Sequence, residues 1–96
     1  MIKHIVMFRL EGEGTEAAAT RFKTEIEALP KVIAELDTAE VGLDLGHITG
    51  NWDIVLTATC SNEADLATYS AHPAHLACVA IIKPLLAARA CVDYLA

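Results

Sequence analysis

The sequence predicts an α+β domain of the ferredoxin-like type: a four-stranded antiparallel sheet, built in the order βαββαβ, with its helices on one face. Three observations predict it. Segments with the two-residue period of strands alternate with segments of helical period in that order. The chain has 96 residues, enough for one small domain, so residues 1–96 are read as a single unit. Two of the predicted strands are apolar on both faces, as a sheet covered on both sides requires.

Each element has its own justification. Residues 2–10, IKHIVMFRL, are rich in β-branched and aromatic residues and are followed by Gly12 and Gly14. Ile2, His4, Val6, Phe8 and Leu10 share one face; Lys3, Ile5, Met7 and Arg9 share the other. Residues 15–29 read as a helix, with Thr15 as N-cap, Glu16 in the first turn, and Phe22, Ile26 and Leu29 as the buried stripe. Pro30 stops it, and residues 31–36 read as a short helical turn. Residues 38–45, TAEVGLDL, alternate, with Ala39, Val41, Leu43 and Leu45 inward.

A loop bracketed by Gly46 and Gly50 leads to a strand at 51–60, where Trp52, Ile54, Leu56 and Ala58 share a face. Trp52 is expected in the core or at a dimer contact. Residues 62–71 read as a helix capped by Ser61 or Asn62, with Leu66 and Tyr69 on one side. Pro73 suits the first turn of a further helix, with His72 just outside it and Leu76, Val79 and either Ala80 or Ile82 inward. Pro84 ends or kinks that helix, and residues 88–95, ARACVDYL, close the chain as a strand.

Composition narrows the function classes. Apolar residues make up 54% of the chain and the mean hydropathy is +0.40, high for a small monomer. Together with the two-sided strands, this predicts that the open sheet face packs against a second copy. Seven basic against thirteen acidic residues give a net charge of −6 with no basic cluster, which argues against nucleic acid and against anionic membrane surfaces. The longest apolar segment, Leu76 to Ile82, is too short to span a bilayer, and the N-terminus does not read as a secretory signal. Cys60, Cys78 and Cys91 are odd in number and form no CxxC, so buried thiols in a reducing cytoplasm are expected.

The chemical candidates centre on YSAHPAH, residues 69–75. Tyr69, His72 and His75 recur at helical spacing, although Pro73 interrupts the helix between them. They read either as a helix junction or as a proton-handling cluster, since histidine titrates near neutrality. HxxH offers two metal ligands where zinc takes three or four, so no metal is expected. His4 stands on an apolar strand face, either as a bonded core residue or as the polar group of a small-molecule pocket. Asp53 reads as a strand-start acid or a pocket group, Arg89 and Asp93 as charges on one face of the last strand that pair structurally with charges of other strands, and His47 as solvated. No phosphate loop, dinucleotide or acyl-serine motif occurs, and no cofactor is expected.

The segments MIKHIVMFRL, AEVGLDL, NWDIVLTATC, YSAHPAHLACVAIIKPLL and ARACVDY together resemble the Dabb family, the stress-responsive dimeric α/β-barrel domains, over nearly the whole chain. The resemblance implies a homodimer whose two sheets form a barrel. Members include stress-associated proteins and a polyketide cyclase similar to this chain at YxxHPAH. In that cyclase the tyrosine and the last histidine of the motif carry an intramolecular aldol condensation. Carried over, the catalytic positions are Tyr69 and His75, with His4, His72 and Asp53 at the pocket. His75 would take a proton alpha to a carbonyl, and Tyr69 would hold His75 or donate to the enolate oxygen. Asp53 stands where the cyclase has a further histidine, so a different substrate is expected. The alternatives are a non-catalytic stress or assembly protein and a cofactor-free monooxygenase of the dimeric barrel type.

Overall fold

Strand β1, Ile2–Leu10, lies inside the sheet of a computed structural model that describes residues 1–96. Helix α1 follows at Thr15–Glu27, then β2 at Thr38–Leu43 and β3 at Ile54–Cys60. Helices α2, Glu63–Ala71, and α3, Pro73–Ile82, precede the last strand, β4, at Leu86–Leu95. The sheet order is β2-β3-β1-β4, and every neighbouring pair is antiparallel. This is the ferredoxin-like arrangement that the order of segments predicts.

Register sets which side chains meet. His4 stands opposite Ala58 on β3 and Asp93 on β4; Val6 stands opposite Leu56 and Cys91. Directly opposed residues point to the same face. Val6, Phe8, Ile54 and Leu56 therefore pack under Phe22 and Ile26 of α1 and Ile82 of α3, all of them buried. Phe8 and Phe22 meet edge to face, ring centroids 5.4 Å apart and 77° between planes. Burying one such side chain contributes about 1.5–3 kcal/mol, which is why the stripe Phe22, Ile26 and Leu29 fixes how α1 lies on the sheet.

The other face is apolar in its middle and uncovered. Met7 stands opposite Val55, and Val92 opposite Ile5; Val92 is 62% exposed and its neighbour Tyr94 43%.

Several boundaries differ from the sequence reading. Helix α1 is capped by Gly14 at φ 80°, and Thr15 is already its first residue; no side chain caps this end. Strand β2 ends at Leu43, leaving Leu43 and Leu45 exposed. Asp44 turns the chain there: one carboxylate oxygen accepts from the Gly46 N–H and the other from the Asn51 side chain, while Gly46 takes φ 80°. Trp52 precedes β3 and is half-buried, not in the core, with the Arg9 guanidinium 4.6 Å above its ring. Helix α3 buries Cys78 and Ile82, four apart, so Leu76 falls on the outer side and is exposed. Cys60 and Cys78 are buried as expected, but Cys91 is exposed because β4 is an edge strand with little helix above it.

Candidate active site

The site begins where the helix breaks at His72, between α2 and α3. Asn62 starts α2, its side chain accepting from the Asp65 N–H at 2.8 Å. That helix runs to Ala71 and presents Tyr69, its one fully buried residue, to the core. His72 then leaves helical geometry, at φ −65° and ψ 135°, as a residue before proline must. Its Nδ1 accepts from the Ala74 N–H at 3.0 Å, so His72 is the N-cap of α3. That bond uses the lone pair, and the ring does not line the cavity described next. Of the two readings of YSAHPAH, His72 thus fits the helix junction.

Pro73 opens α3 and delivers His75 to the inner side. His75 Nδ1–H donates to the Ser70 carbonyl at 2.9 Å. A carbonyl only accepts, so this bond fixes the proton on Nδ1 and leaves Nε2 as the basic atom of the neutral ring. The ring leans on Tyr69, centroids 4.5 Å apart at 48°. Tyr69 also meets His4 edge-on, at 6.2 Å and 75°. Burial holds His75 below the ordinary histidine range; the Ser70 carbonyl opposes this, and the charges of His4, Arg89 and His72 add to the lowering.

His4 and His75 line one cavity of about 240 Å³, with Phe8, Phe22, Val79 and Arg89 also in its wall. The hollow beside Thr20 and Arg21 on α1 is larger but an open polar depression, and another, lined by Leu45, Trp52 and Asp53 at the start of β3, is also more open. The histidine cavity has the enclosed apolar wall and few convergent polar groups of a ligand site, and it is smaller than the range of about 300–1,000 Å³ usual for drug-sized ligands. The Nδ1–H of His4 donates to the Asp93 carboxylate, which leaves His4 Nε2 as its second functional atom.

Asp53 stands elsewhere. Its N–H donates to the Phe8 carbonyl at 3.0 Å, and its Oδ2 accepts from the Leu10 N–H at 2.7 Å. Leu10 lies six steps along β1 from His4, about 20 Å at strand rise. Asp53 does not line the cavity; it ties the start of β3 to the end of β1, where the β1–β4 register shifts. Tyr69 is wholly buried, its hydroxyl makes no hydrogen bond, and burial pushes its acidity far down. The bond expected between Tyr69 and His75 is absent: Ser70 holds the imidazole, and Tyr69 supports it by ring contact.

Sequence reasoning missed two residues of the site, Asp93 as the partner of His4 and Arg89 as a wall of the cavity. The alternation in ARACVDY already puts Arg89, Cys91 and Asp93 on one face. Only the strand order shows that this face adjoins His4. Cys91 is close as well, its Sγ 3.6 Å from both His4 Nδ1 and Asp93 Oδ1.

A ferredoxin-like sheet with a histidine-lined cavity under its helices and an uncovered apolar back defines the class of α/β-barrel domains. Within it, residues 2–96 match the stress-responsive A/B barrel domain, and the chain belongs to this Dabb family. Among solved structures, a dimeric ferredoxin-like protein of unknown function from Bacteroides fragilis is 38% identical, with 97% of this chain and 93% of that one covered and a TM-score of 0.87. A dimeric ferredoxin-like protein of unknown function from Thermobifida fusca is 36% identical, with coverage of 99% and 90% and a TM-score of 0.86. A hydroxynitrile lyase from Passiflora edulis shares the fold at 17% identity, with coverage of 99% and 92% and a TM-score of 0.81. No curated protein matches the chain. No helix is long and apolar enough to cross a membrane.

Proposed function

We propose that the chain acts as a homodimer on a small carbonyl compound by proton transfer in the cavity between His4 and His75. The observation that carries this reading is the convergence of the two imidazoles, from β1 and α3, on one enclosed apolar space. His75 is the base. Its Nδ1 is held by Ser70, and burial keeps the ring neutral at pH 7, so Nε2 is free to take a proton alpha to a carbonyl. Tyr69 positions His75 by ring contact. His4, oriented by Asp93, and Arg89 face the same space and would stabilise the enolate oxygen. The cavity volume limits the substrate to one smaller than a drug-sized molecule, folded against Phe8 and Phe22. Such chemistry is cyclase- or lyase-like, and the hydroxynitrile lyase among the structural neighbours is in keeping with it. The dimeric state is supported by the relatives that are dimeric and by the apolar face around Met7, Val55 and Val92.

The test is solvent exchange. A small cyclic 1,3-diketone is incubated in D₂O with the wild-type protein or His75→Ala, and α-deuteration is followed by NMR. Acceleration by wild type that His75→Ala loses by about 100-fold is expected for a general base. No acceleration by wild type across a panel of such ketones, or equal acceleration by both proteins, sinks the reading.

A further inference from the structure

The proton-transfer reading leaves Cys91 without a role, although its thiol stands in a cluster that the fold holds on a rigid frame. Cys91 and Asp93 alternate on β4 and so point to the same face of the sheet, and His4 is paired with Asp93 across the β1–β4 ladder. One ligand atom from each of the three lies within 4.8 Å of the others. None comes from a mobile loop: β1 is an inner strand, and the strand ladder runs through all three positions. Two of the three are exposed, so an ion can reach them without opening the core.

The spacing can be compared with that of a metal centre. Tetrahedral zinc with bonds of about 2.3 Å to sulfur and about 2.0–2.2 Å to nitrogen or oxygen sets its ligand atoms about 3.6 Å apart along the S–N and S–O edges. The structure has Cys91 Sγ 3.6 Å from His4 Nδ1 and 3.6 Å from Asp93 Oδ1. The third edge is the hydrogen bond between His4 and Asp93, and it must open to about 3.4 Å. A rotation of the exposed Asp93 carboxylate would do this. The donor set also selects the ion. One thiolate, one imidazole and one carboxylate suit zinc, whereas magnesium and calcium take oxygen ligands alone.

We propose that His4 Nδ1, Cys91 Sγ and Asp93 Oδ1 form a three-ligand zinc site with an open fourth position at the solvent side of the cavity. Binding moves no electrons. The Cys91 thiol gives its proton to bulk water as the S–Zn bond forms, and the proton on His4 Nδ1 leaves that atom, for Nε2 or for bulk water, so that the Nδ1 lone pair binds the metal. Asp93 exchanges its hydrogen bond to His4 for a bond to the metal. A water molecule, or an oxygen of a small ligand, fills the fourth position. The site shares His4 and its partner Asp93 with the proton-transfer reading, but not the base His75, and neither requires the other.

The experiment uses the intact chain, stripped with EDTA and kept reduced with a phosphine, titrated with cobalt(II) and then with zinc(II) in competition. One cobalt per chain is expected, with the intense visible bands of tetrahedral coordination and a near-ultraviolet thiolate charge-transfer band. Cys91→Ser should remove that band and weaken zinc binding by about 100-fold, and Asp93→Asn by at least about 10-fold. Both residues are exposed on an edge strand, and circular dichroism confirms that each variant folds. Three results overturn the proposal: no cobalt bound by wild type; a thiolate band that survives in Cys91→Ser, which would assign Cys60 or Cys78; or zinc binding lost in His75→Ala and kept in Cys91→Ser, which would assign HxxH. The readouts are spectroscopic, so a protein that exchanges no α-proton can still bind zinc, and the two failures are separable.

Discussion

His75 rests on the ring of Tyr69, centroids 4.5 Å apart, yet no hydrogen bond joins the two side chains. The imidazole is oriented by the backbone instead, through Nδ1–H to the Ser70 carbonyl at 2.9 Å. Ring contact sets where His75 sits, and the carbonyl sets which nitrogen is free. The two jobs are therefore separable by mutation.

The first prediction follows from burial of His75, which lowers its pKa below the usual value of about 6.5. A base that is neutral in the folded protein keeps working below pH 6.5. The α-deuteration rate should stay flat from pH 7.5 down past about 6.5 and fall only at more acid pH. Stability follows with a definite sign. Between the folded and unfolded pKa values the unfolded chain binds more protons, so stability is lost as pH falls through about 6.5. Urea midpoints measured between about pH 5 and 7 should drop less steeply in His75→Gln than in wild type. Parallel curves would count against the burial argument.

Tyr69→Phe keeps the ring and removes the hydroxyl. That hydroxyl is wholly buried and has no partner, a state that costs about 1–3 kcal/mol. The variant should gain about 1 kcal/mol, or about 4–8 °C in Tm for a domain of this size. Its exchange rate should stay within a few-fold of wild type, because the stack on His75 remains. A loss of stability would show that the hydroxyl is bonded in solution. A loss of exchange with folding intact would show that it touches the substrate.

Much of the fold was legible because it rests on period. The two-residue alternation of 2–10 and the stripe Phe22, Ile26, Leu29 specify burial directly, and each of these residues on the inner side is buried. His72 was legible as a cap because Pro73 leaves its predecessor few conformations. Strand ends were not legible. TAEVGLDL alternates to Leu45, but Asp44 and Gly46 make a turn that hydropathy does not record. The site was half legible. His75 and His4 stood out by residue type, whereas Asp93, 89 residues from His4, is brought to it only by β4 pairing with β1. The surroundings of Asp53 were not legible for the same reason: its place just before β3 says nothing of which end of β1 it meets.

Asp53 gives a third prediction. Its carboxylate accepts the Leu10 N–H where the β1–β4 ladder slips by a residue. A hydrogen bond to a charged acceptor contributes about 1.5–3 kcal/mol. Asp53→Ala should lose about that much in urea unfolding, and Asp53→Asn less, since its side-chain oxygen can still accept. Neither should alter exchange of the diketone, because Asp53 lies outside the cavity. A selective loss of exchange in a stable Asp53→Asn protein would return this residue to the site.

The fourth prediction concerns the uncovered sheet face. Val92 is 62% exposed in the isolated chain, opposite Ile5, with Tyr94 and Met7 alongside on the same face. If a second copy covers this face, Val92→Asp places a carboxylate in a dry interface and, by symmetry, repeats it. Even after relaxation, burying a charge costs several kcal/mol, so the dimer dissociation constant should rise by at least about 100-fold. Val92→Thr, similar in shape and uncharged, should cost far less. Sedimentation velocity over a concentration series separates the cases. A wild-type dimer, a monomeric Val92→Asp and a nearly unchanged Val92→Thr are expected. The monomer should also unfold more readily, because exposed apolar area that the partner would cover contributes about 25 cal/mol per Å² once buried. A wild-type protein that sediments as a monomer at all concentrations, or a Val92→Asp dimer as tight as wild type, would leave the apolar face of β1, β3 and β4 without the partner its composition demands.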